Sequence, residues 1–459
     1  MARLFGTDGM RGLANVAPIV PEIAMGLGRA AAQVLAPTEA ETKPFVVLGR
    51  DPRLSGTMLE GALVAGLCSA GVDVMCVGVL PTPGVAYLTR TLGAMAGVMI
   101  SASHNPYMDN GIKFFSADGR KLTDDLEDAL VARLDCLETP ARPTGASVGQ
   151  AIGEAALTQR YIDFLAATYA HETPCALRIA LDCAHGAAAA VAPRLFEQLG
   201  AGVSVYHAAP DGTNINAQCG ALHPAFLQQK VVEEGLDLGF AFDGDADRLI
   251  AVDHTGQVLD GDYILAVSAQ ALQDRGALAH NKVVTTVMAN LGLDKALAAM
   301  GIELHKTPVG DKYVMQAMHE QGAVLGGEQS GHIIFLDHHA TGDGLLSAVQ
   351  LLNAVVGRQV PLADLARILC KFPQVLMNVR LSERRDPLLH DEVQAAIQAA
   401  EACLGHDGRV LVRLSGTEPM ARVMLEGPDQ ATIEPLAQQI VRAIAAATAP
   451  AASHRARRP

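Results

Sequence analysis

Short apolar runs rich in valine, isoleucine and leucine punctuate the chain, and three of them open stretches built to the same plan. FVVL at 45–48, RIAL at 178–181 and KVVT at 282–285 each precede a polar or glycine turn and a segment of helical composition. Second strands follow in the same order: VDVMCV from Val72 with a PTPG turn, VSVYHA from Val203 with PDGT, and IELHKT from Ile302 with PVGD. Third strands run into loops of small and polar residues, GVMI into SASHNP, LGFAF into DGDADR and AVLG into GEQSGH. A further short strand, a glycine turn and a helix-like segment complete each copy. The pattern predicts three similar mixed α/β domains. Ligands of such sheets gather at the carboxyl ends of strands, so three loops in equivalent places can face one cleft.

From about Phe372 the plan changes. QVLMNVRL and GRVLVRL read as strands, SGTEPMAR as a loop, VMLEG as a strand and residues near 430–447 as an Ala-rich helix, which predicts a smaller C-terminal α+β domain. The expected domains are 1–152, 153–257, 258–371 and 372–459. Size and composition agree, since 459 residues, 50% of them hydrophobic and 18% charged, suit several domains with large cores and exclude a disordered chain or a single small module. With 35 Lys+Arg against 49 Asp+Glu, the formal charge of −14 has the wrong sign for a protein that neutralises nucleic-acid phosphates over a broad face. Any phosphate must be held locally.

The opening MARLFGTDGMRG lacks the apolar core of a secretory signal, and no uncharged run of about 18 strongly apolar residues appears. A cytoplasmic protein without a membrane partner is expected. Eight cysteines without a CxxC pair or framework spacing predict reduced, mostly buried thiols, with neither a disulfide scaffold nor a zinc site indicated. The last ten residues, PAASHRARRP, read as a solvated tail.

Four loops carry candidate chemistry. Asp243, Asp245 and Asp247 alternate on a short turn, and carboxylates about 4 Å apart repel by several kcal/mol at an effective dielectric near 20. A hard cation such as Mg²⁺ relieves that repulsion and polarises a phosphoryl group. A calcium loop counted from Asp243 fails, because it needs glycine at Arg248 and glutamate at His254. The alternative is a solvated acidic turn. SASHNPYMDNGIK offers Ser103 as a nucleophilic hydroxyl beside His104, with Lys113 further on, or else an Asn-Pro turn with an incidental serine. The GxSxG elbow of a Ser-His-Asp hydrolase is absent. GEQSGH supplies Glu328, Ser330 and His332, groups suited to sugar hydroxyls. RLSGTEPMAR supplies Arg413, Ser415, Gly416, Thr417 and Arg422, suited to a phosphate. Each of these two loops also reads as ordinary turn chemistry. GTDGMRG adds a glycine-rich turn with Arg11, or simply a surface loop.

In this order the motifs FGTDGMRG, GRDPRLSG, SASHNPYMDNGIKFF, DCAHGAA, PDGTNINAQCG, FDGDADR, TVMANLGL, GEQSGH and RLSGTEP resemble the α-D-phosphohexomutase family from Arg3 to about Ala447. The resemblance implies a four-domain, heart-shaped enzyme with one Mg²⁺ per subunit. GEQSGH and PDGTNIN speak for a member that converts glucosamine 6-phosphate to glucosamine 1-phosphate, toward UDP-N-acetylglucosamine and the cell wall. Glucose and mannose phosphate mutases of the family are the alternative. Carried over by motif, Ser103 becomes the activating phosphoserine, and Asp243, Asp245 and Asp247 hold Mg²⁺ together with an oxygen on Ser103. Arg11, His104, Lys113 and Arg248 surround the transferring group. Glu328, Ser330 and His332 grip the sugar, and Arg413, Ser415, Gly416, Thr417 and Arg422 take the other phosphate. The small-molecule partner is thus an amino-sugar phosphate. Family members are often homodimers, a state open here. Pro52, Lys312, Met420 and Ala421 depart from the usual residues, and Lys312 is left out of the site because lysine lacks arginine's bidentate fork. Two other classes stay open: a metal-dependent phosphohydrolase in which water accepts the phosphate, and a sugar-phosphate sensor without turnover.

Overall fold

A computed structural model describes residues 4–6, 8–37, 42–134, 142–381, 386–414 and 420–448. By its internal contacts the chain forms two units, one of Met1–Ala289 with Leu297–Ile368 and one of Asn290–Ala296 with Leu369–Pro459.

The first unit holds three sheets of one design. In the first, β1 (Met10–Leu13), β2 (Phe45–Arg50), β3 (Asp73–Val79), β4 (Ala96–Ile100), β5 (Asp109–Ser116) and β6 (Ala151–Gly153) lie in the order β1-β5-β4-β2-β3-β6. The second comprises β7 (Arg178–Asp182), β8 (Gly202–Tyr206), β9 (Leu238–Phe242), β10 (Leu249–Asp253) and β11 (Val258–Leu259), ordered β11-β10-β9-β7-β8. The third comprises β12 (Lys282–Thr286), β13 (Glu303–Thr307), β14 (Leu325–Gly327) and β15 (Ile333–Phe335), ordered β13-β12-β14-β15. In every copy the opening strand is central. Its second and third strands flank it in parallel, and the fourth pairs antiparallel with the third. The repeat read from the apolar runs is therefore a repeat of topology.

Helices cross between the parallel strands, as at Gly56–Ser69 and Thr82–Leu92 in the first copy. Burial explains the composition of the strands: Val46, Leu48, Val74, Val98 and Ile100 pack with Leu27, Leu59 and Leu63 of the helices, all at 0% exposure. Strands covered on both faces need continuous apolar runs, which is why β4 and β9 are buried at every position. Polar residues appear where those strands end, and the three loops begin there.

The second unit contains the antiparallel sheet β16 (Gln374–Arg380), β17 (Arg409–Leu414) and β18 (Met420–Glu426), in the order β16-β18-β17. Helices Asp391–Leu404 and Gln430–Ala447 cover it, with Ile433, Ile440 and Ile444 buried against Val375, Val379 and Leu425. The helix Asp391–Leu404 was not anticipated from the sequence. Strand β18 also starts earlier than expected, so Met420, Ala421 and Arg422 are strand residues rather than loop residues. No helix among the described residues is long and apolar enough to cross a membrane.

Candidate active site

The Ser103 loop is held from beneath by a buried ion pair. Arg53 and Asp51, both at 0% side-chain exposure, meet at 2.8 Å. The guanidinium of Arg53 then donates to the carbonyls of Ser103 (2.8 Å), Asn105 (2.9 Å), Asp109 (3.1 Å) and Pro106. Asp51 accepts from the Ser101 hydroxyl at 2.7 Å, and Ser101 Oγ accepts from the Ser103 amide at 2.9 Å. So tethered, Ser103 takes a left-handed backbone with φ 52°, a conformation that non-glycine residues adopt rarely and that often marks functional turns. Its hydroxyl donates to Asp243 Oδ2 at 2.7 Å and lies 3.3 Å from His104 Nδ1.

Asp243 begins the turn after β9. Asp243, Asp245 and Asp247 are buried and bring ligand oxygens within 4.8 Å of one another. Thr82, from the PTPG turn of the first repeat, donates to Asp245 Oδ2 at 2.5 Å, and Lys113 donates to the same oxygen at 2.9 Å. Asp245 Oδ1 and Asp247 Oδ1 are buried without a hydrogen-bond partner, and the nearest cation to Asp247 Oδ1 is the Arg248 guanidinium at 3.9 Å. Buried carboxylate oxygens without donors are costly unless positive charge meets them more closely. Hard oxygen donors of this kind fit a divalent cation, so the three residues can hold a metal ion.

Electrostatics divide the carboxylates. Burial, then Asp247 and Asp245, push Asp243 well above the usual carboxylate range. Burial would also raise Asp245, but Lys113 and the Thr82 hydrogen bond outweigh it and hold the group low. Lys113, 2% exposed, pays its burial through Asp245, Asp8 (3.0 Å) and Asp247 (3.7 Å), which keep it charged. Asp8 in turn pairs with Arg11 and Lys121, and Lys121 with Asp311. Arg11 reaches the Ala102 carbonyl at 3.4 Å. Burial, with Arg248 and Arg11 nearby, lowers His104 to about 4, so it is neutral at physiological pH.

Arg248 closes the acidic turn and joins the third loop. It lines a cavity of about 580 Å³ with Asp260, Thr286, Met288, Val309, Glu328, Gln329 and Ser330. Glu328 Oε1 accepts from the Gly310 amide at 3.2 Å. His332 is 4% exposed, neither ring nitrogen has a hydrogen-bond partner, and its Nε2 stands 3.8 Å from Asp311 Oδ2. A second cavity of about 410 Å³ includes Lys121, Asp311 and His332 in its wall.

Of the residues singled out by sequence, the structure thus gathers Ser103, His104, Arg11, Lys113, Arg248, Asp243, Asp245 and Asp247 into one network, with Glu328 and Ser330 sharing the cavity of Arg248. In the second unit, Arg413 and Arg422 stand directly opposite on β17 and β18. Ser415, Gly416 and Thr417 lie outside the described residues. Sequence reasoning missed the supporting residues Asp51, Arg53, Thr82, Asp8, Lys121 and Asp311. Asp51 and Arg53 were visible in GRDPRLSG, but only the fold shows that they carry the Ser103 turn.

A hydroxyl poised against a carboxylate cluster fit for a divalent cation, with fixed cationic groups around it, suits the movement of a phosphoryl group. Such transfer depends on positioning and charge stabilisation more than on covalent assistance. The fold and the site together define an α/β phosphotransferase. Family models described as phosphoglucomutase/phosphomannomutase match in series: alpha/beta/alpha domain I at residues 2–140, domain II at 159–256, domain III at 260–372 and the C-terminal domain at 376–443. The chain belongs to the phosphoglucomutase/phosphomannomutase family, and it is an enzyme of the isomerase type.

Among its relatives, the phosphoglucosamine mutase of Bacillus mycoides is 50% identical over 447 residues, 97% of this chain and 99% of that one. That of Moorella thermoacetica is 51% identical over 435 residues, covering 95% and 97%. A solved phosphoglucomutase/phosphomannomutase family protein from Burkholderia thailandensis superposes with a TM-score of 0.79 at 27% identity, covering 97% of each chain. The N-acetylphosphoglucosamine mutase of Aspergillus fumigatus, solved with GlcNAc-6P and magnesium, shares the fold at a TM-score of 0.67 and 19% identity, over 97% of this chain and 96% of that one.

Proposed function

We propose that the chain interconverts glucosamine 6-phosphate and glucosamine 1-phosphate through a phosphoserine at Ser103 and a glucosamine 1,6-bisphosphate intermediate. The observation that carries this reading is the 2.7 Å hydrogen bond from the Ser103 hydroxyl to Asp243 within the buried carboxylate cluster. Full-length similarity to phosphoglucosamine mutases selects the amino sugar. In this reading the reaction supplies UDP-N-acetylglucosamine for the cell wall, and the enzyme works in the cytoplasm.

Phosphorylated Ser103 gives its phosphoryl group to O1 of glucosamine 6-phosphate. The phosphorus–oxygen bond at serine breaks, one forms at O1, and the sugar hydroxyl proton ends on the serine oxygen. The bisphosphate turns around and returns the phosphate at C6 to Ser103. Asp243, Asp245, Asp247 and an oxygen on Ser103 would hold one Mg²⁺, which would neutralise charge on the transferring group. Lys113 and Arg248 add fixed positive charge at that position, and Arg11, tied to the Ala102 carbonyl, orders the approach. His104, neutral, can donate or accept a hydrogen bond beside the serine oxygen. Glu328, Ser330 and His332 orient the sugar.

Arg413, Ser415, Gly416, Thr417 and Arg422 take the phosphate at rest. Two arginines directly opposite on neighbouring strands repel, with burial and Arg422 lowering Arg413 and Arg422 Nε left unpartnered, so an anion there is welcome. The division into domains 1–152, 153–257, 258–371 and 372–459 belongs to the same reading, the parallel strands of one sheet falling in each of the first three segments except for Gly153, the last residue of β6.

The test combines intact-mass analysis of phosphate on Ser103, before and after incubation with glucosamine 6-phosphate, with NMR of the product. Turnover to glucosamine 1-phosphate with phosphate conserved is expected. Release of inorganic phosphate would make the chain a hydrolase, and a preference for glucose or mannose phosphates would move it to another branch of the family.

A further inference from the structure

Behind the Ser103 loop lies a second group of ligand-type side chains that the mutase reading does not use. Asp182 ends β7, His207 follows β8, and Cys219 sits in the segment between β8 and β9. One donor atom from each falls within 4.8 Å of the others. Asp182 and Cys219 are 0% and 1% exposed, whereas the His207 side chain is 23% exposed and opens the cluster to solvent. His207 Nδ1 is 3.0 Å from Asp182 Oδ2 yet not aligned for a hydrogen bond, and it is buried without any other partner. His185 flanks the group, its ring centroid 5.2 Å from that of His207 and its own Nδ1 also buried and unpartnered.

We propose that Asp182, His207 and Cys219 form a site for a borderline-soft divalent transition ion such as Zn²⁺, separate from the acidic turn. Thiolate, imidazole and carboxylate are each zinc ligands, and three protein ligands leave a fourth tetrahedral position open. The acidic turn offers oxygen alone and favours a hard cation. As the sulfur–metal bond forms, the Cys219 thiol releases its proton to solvent. Without an ion the thiol is protonated, because burial and then Asp182 push it up to about 12. Spacing rules could not have found the site, since its ligands follow no motif spacing and Asp182 comes from a different strand end than His207 and Cys219.

The consequence lies three residues before Cys219. Asn216 Nδ2 donates to the carbonyls of Ser103 (2.9 Å) and Asn105 (3.2 Å). Asp182 already accepts from the Ala184 and Gly220 amides at 3.0 Å each. An ion at this cluster therefore braces the segment that supports the Ser103 backbone.

The experiment is a Co²⁺ titration of the chelator-stripped full chain in excess Mg²⁺, followed by absorption. One equivalent of Co²⁺ with a near-ultraviolet thiolate charge-transfer band and tetrahedral visible bands is expected, displaced by Zn²⁺. Cys219→Ser should lose the near-ultraviolet band, and His207→Gln should weaken Co²⁺ binding at least tenfold. Asp243→Asn should leave both signals in place. A wild-type titration without the band, or a band that survives in Cys219→Ser, overturns the proposal. Should Cys219→Ser fail to fold, His207→Gln decides alone, and an unchanged Co²⁺ affinity in that variant refutes the site.

Discussion

Arg53 is the residue on which the Ser103 turn rests, and its removal can be worked through in numbers. Arg53→Met keeps most of the side-chain volume but deletes a guanidinium that faces Asp51 and four loop carbonyls. Breaking a fully buried pair by removing one partner typically costs about 3–5 kcal/mol, because the surviving charge is left uncompensated. At roughly 2–4 °C per kcal/mol for domains of 150–250 residues, the expected fall in Tm is about 6–20 °C. The turn also loses the donors that place the Ser103 carbonyl, and a shift of about 1 Å at the nucleophile costs on the order of 100-fold in rate. Thermal denaturation and the mutase assay on the same preparations read both effects. The double variant Asp51→Asn/Arg53→Met removes the stranded charge and should regain much of the lost stability while remaining slow. An Arg53→Met protein within 2 °C of wild type, or a double variant no more stable than the single one, would refute the reasoning.

Other outcomes follow from the same coordinates. Gly244 lies where an added Cβ would come within 2.6 Å of the Ser103 carbonyl and 2.8 Å of Asn216 Nδ2, so Gly244→Ala should lower kcat by about 10–100-fold by forcing the two loops apart. Gly61, inside the helix Gly56–Ser69 with nothing within 4 Å of an added Cβ, is the control, and Gly61→Ala should raise stability by about 0.5–1 kcal/mol in denaturant melts. Ser103→Ala should keep a wild-type circular dichroism spectrum yet show no phosphate by intact mass and no turnover; residual mutase activity above the assay floor would exclude the phosphoserine. His339 is buried, its Nε2 2.9 Å from the Pro83 carbonyl, and burial lowers it to about 4. The unfolded state therefore binds the extra proton between about pH 6.5 and 4, and stability is present above that window and lost as pH falls through it. The His339→Gln minus wild-type stability difference should grow in the variant's favour by about 3 kcal/mol from pH 7 to pH 4, since one pKa unit is about 1.4 kcal/mol. A pH-independent difference would show that the imidazole does not titrate as described.

Apolar runs and their order along the chain were enough to determine three α/β repeats and a different ending, because a strand buried on both faces has to be continuously apolar and its exit loop has to be polar. The acidic alternation at Asp243, Asp245 and Asp247 and the serine at Ser103 were legible for a similar reason, as their chemistry is local and needs close spacing. Arg53, Thr82 and Asn216 were not readable as parts of the site. They act on residues 50, 163 and 113 positions away, and the sheets alone decide those distances. The Asp182, His207 and Cys219 cluster escaped for the same cause. Arg422 was placed in a loop because a Gly-Thr-Glu-Pro run signals a turn, whereas cross-strand pairing with Arg413 extends β18 back to Met420. Sequence by itself determined which residue types can hold a cation, carry a phosphate or bury in a sheet, since those are properties of side chains and their near neighbours. Only the tertiary structure decided which of them meet, because that depends on strand order and on which buried charges find partners across the fold.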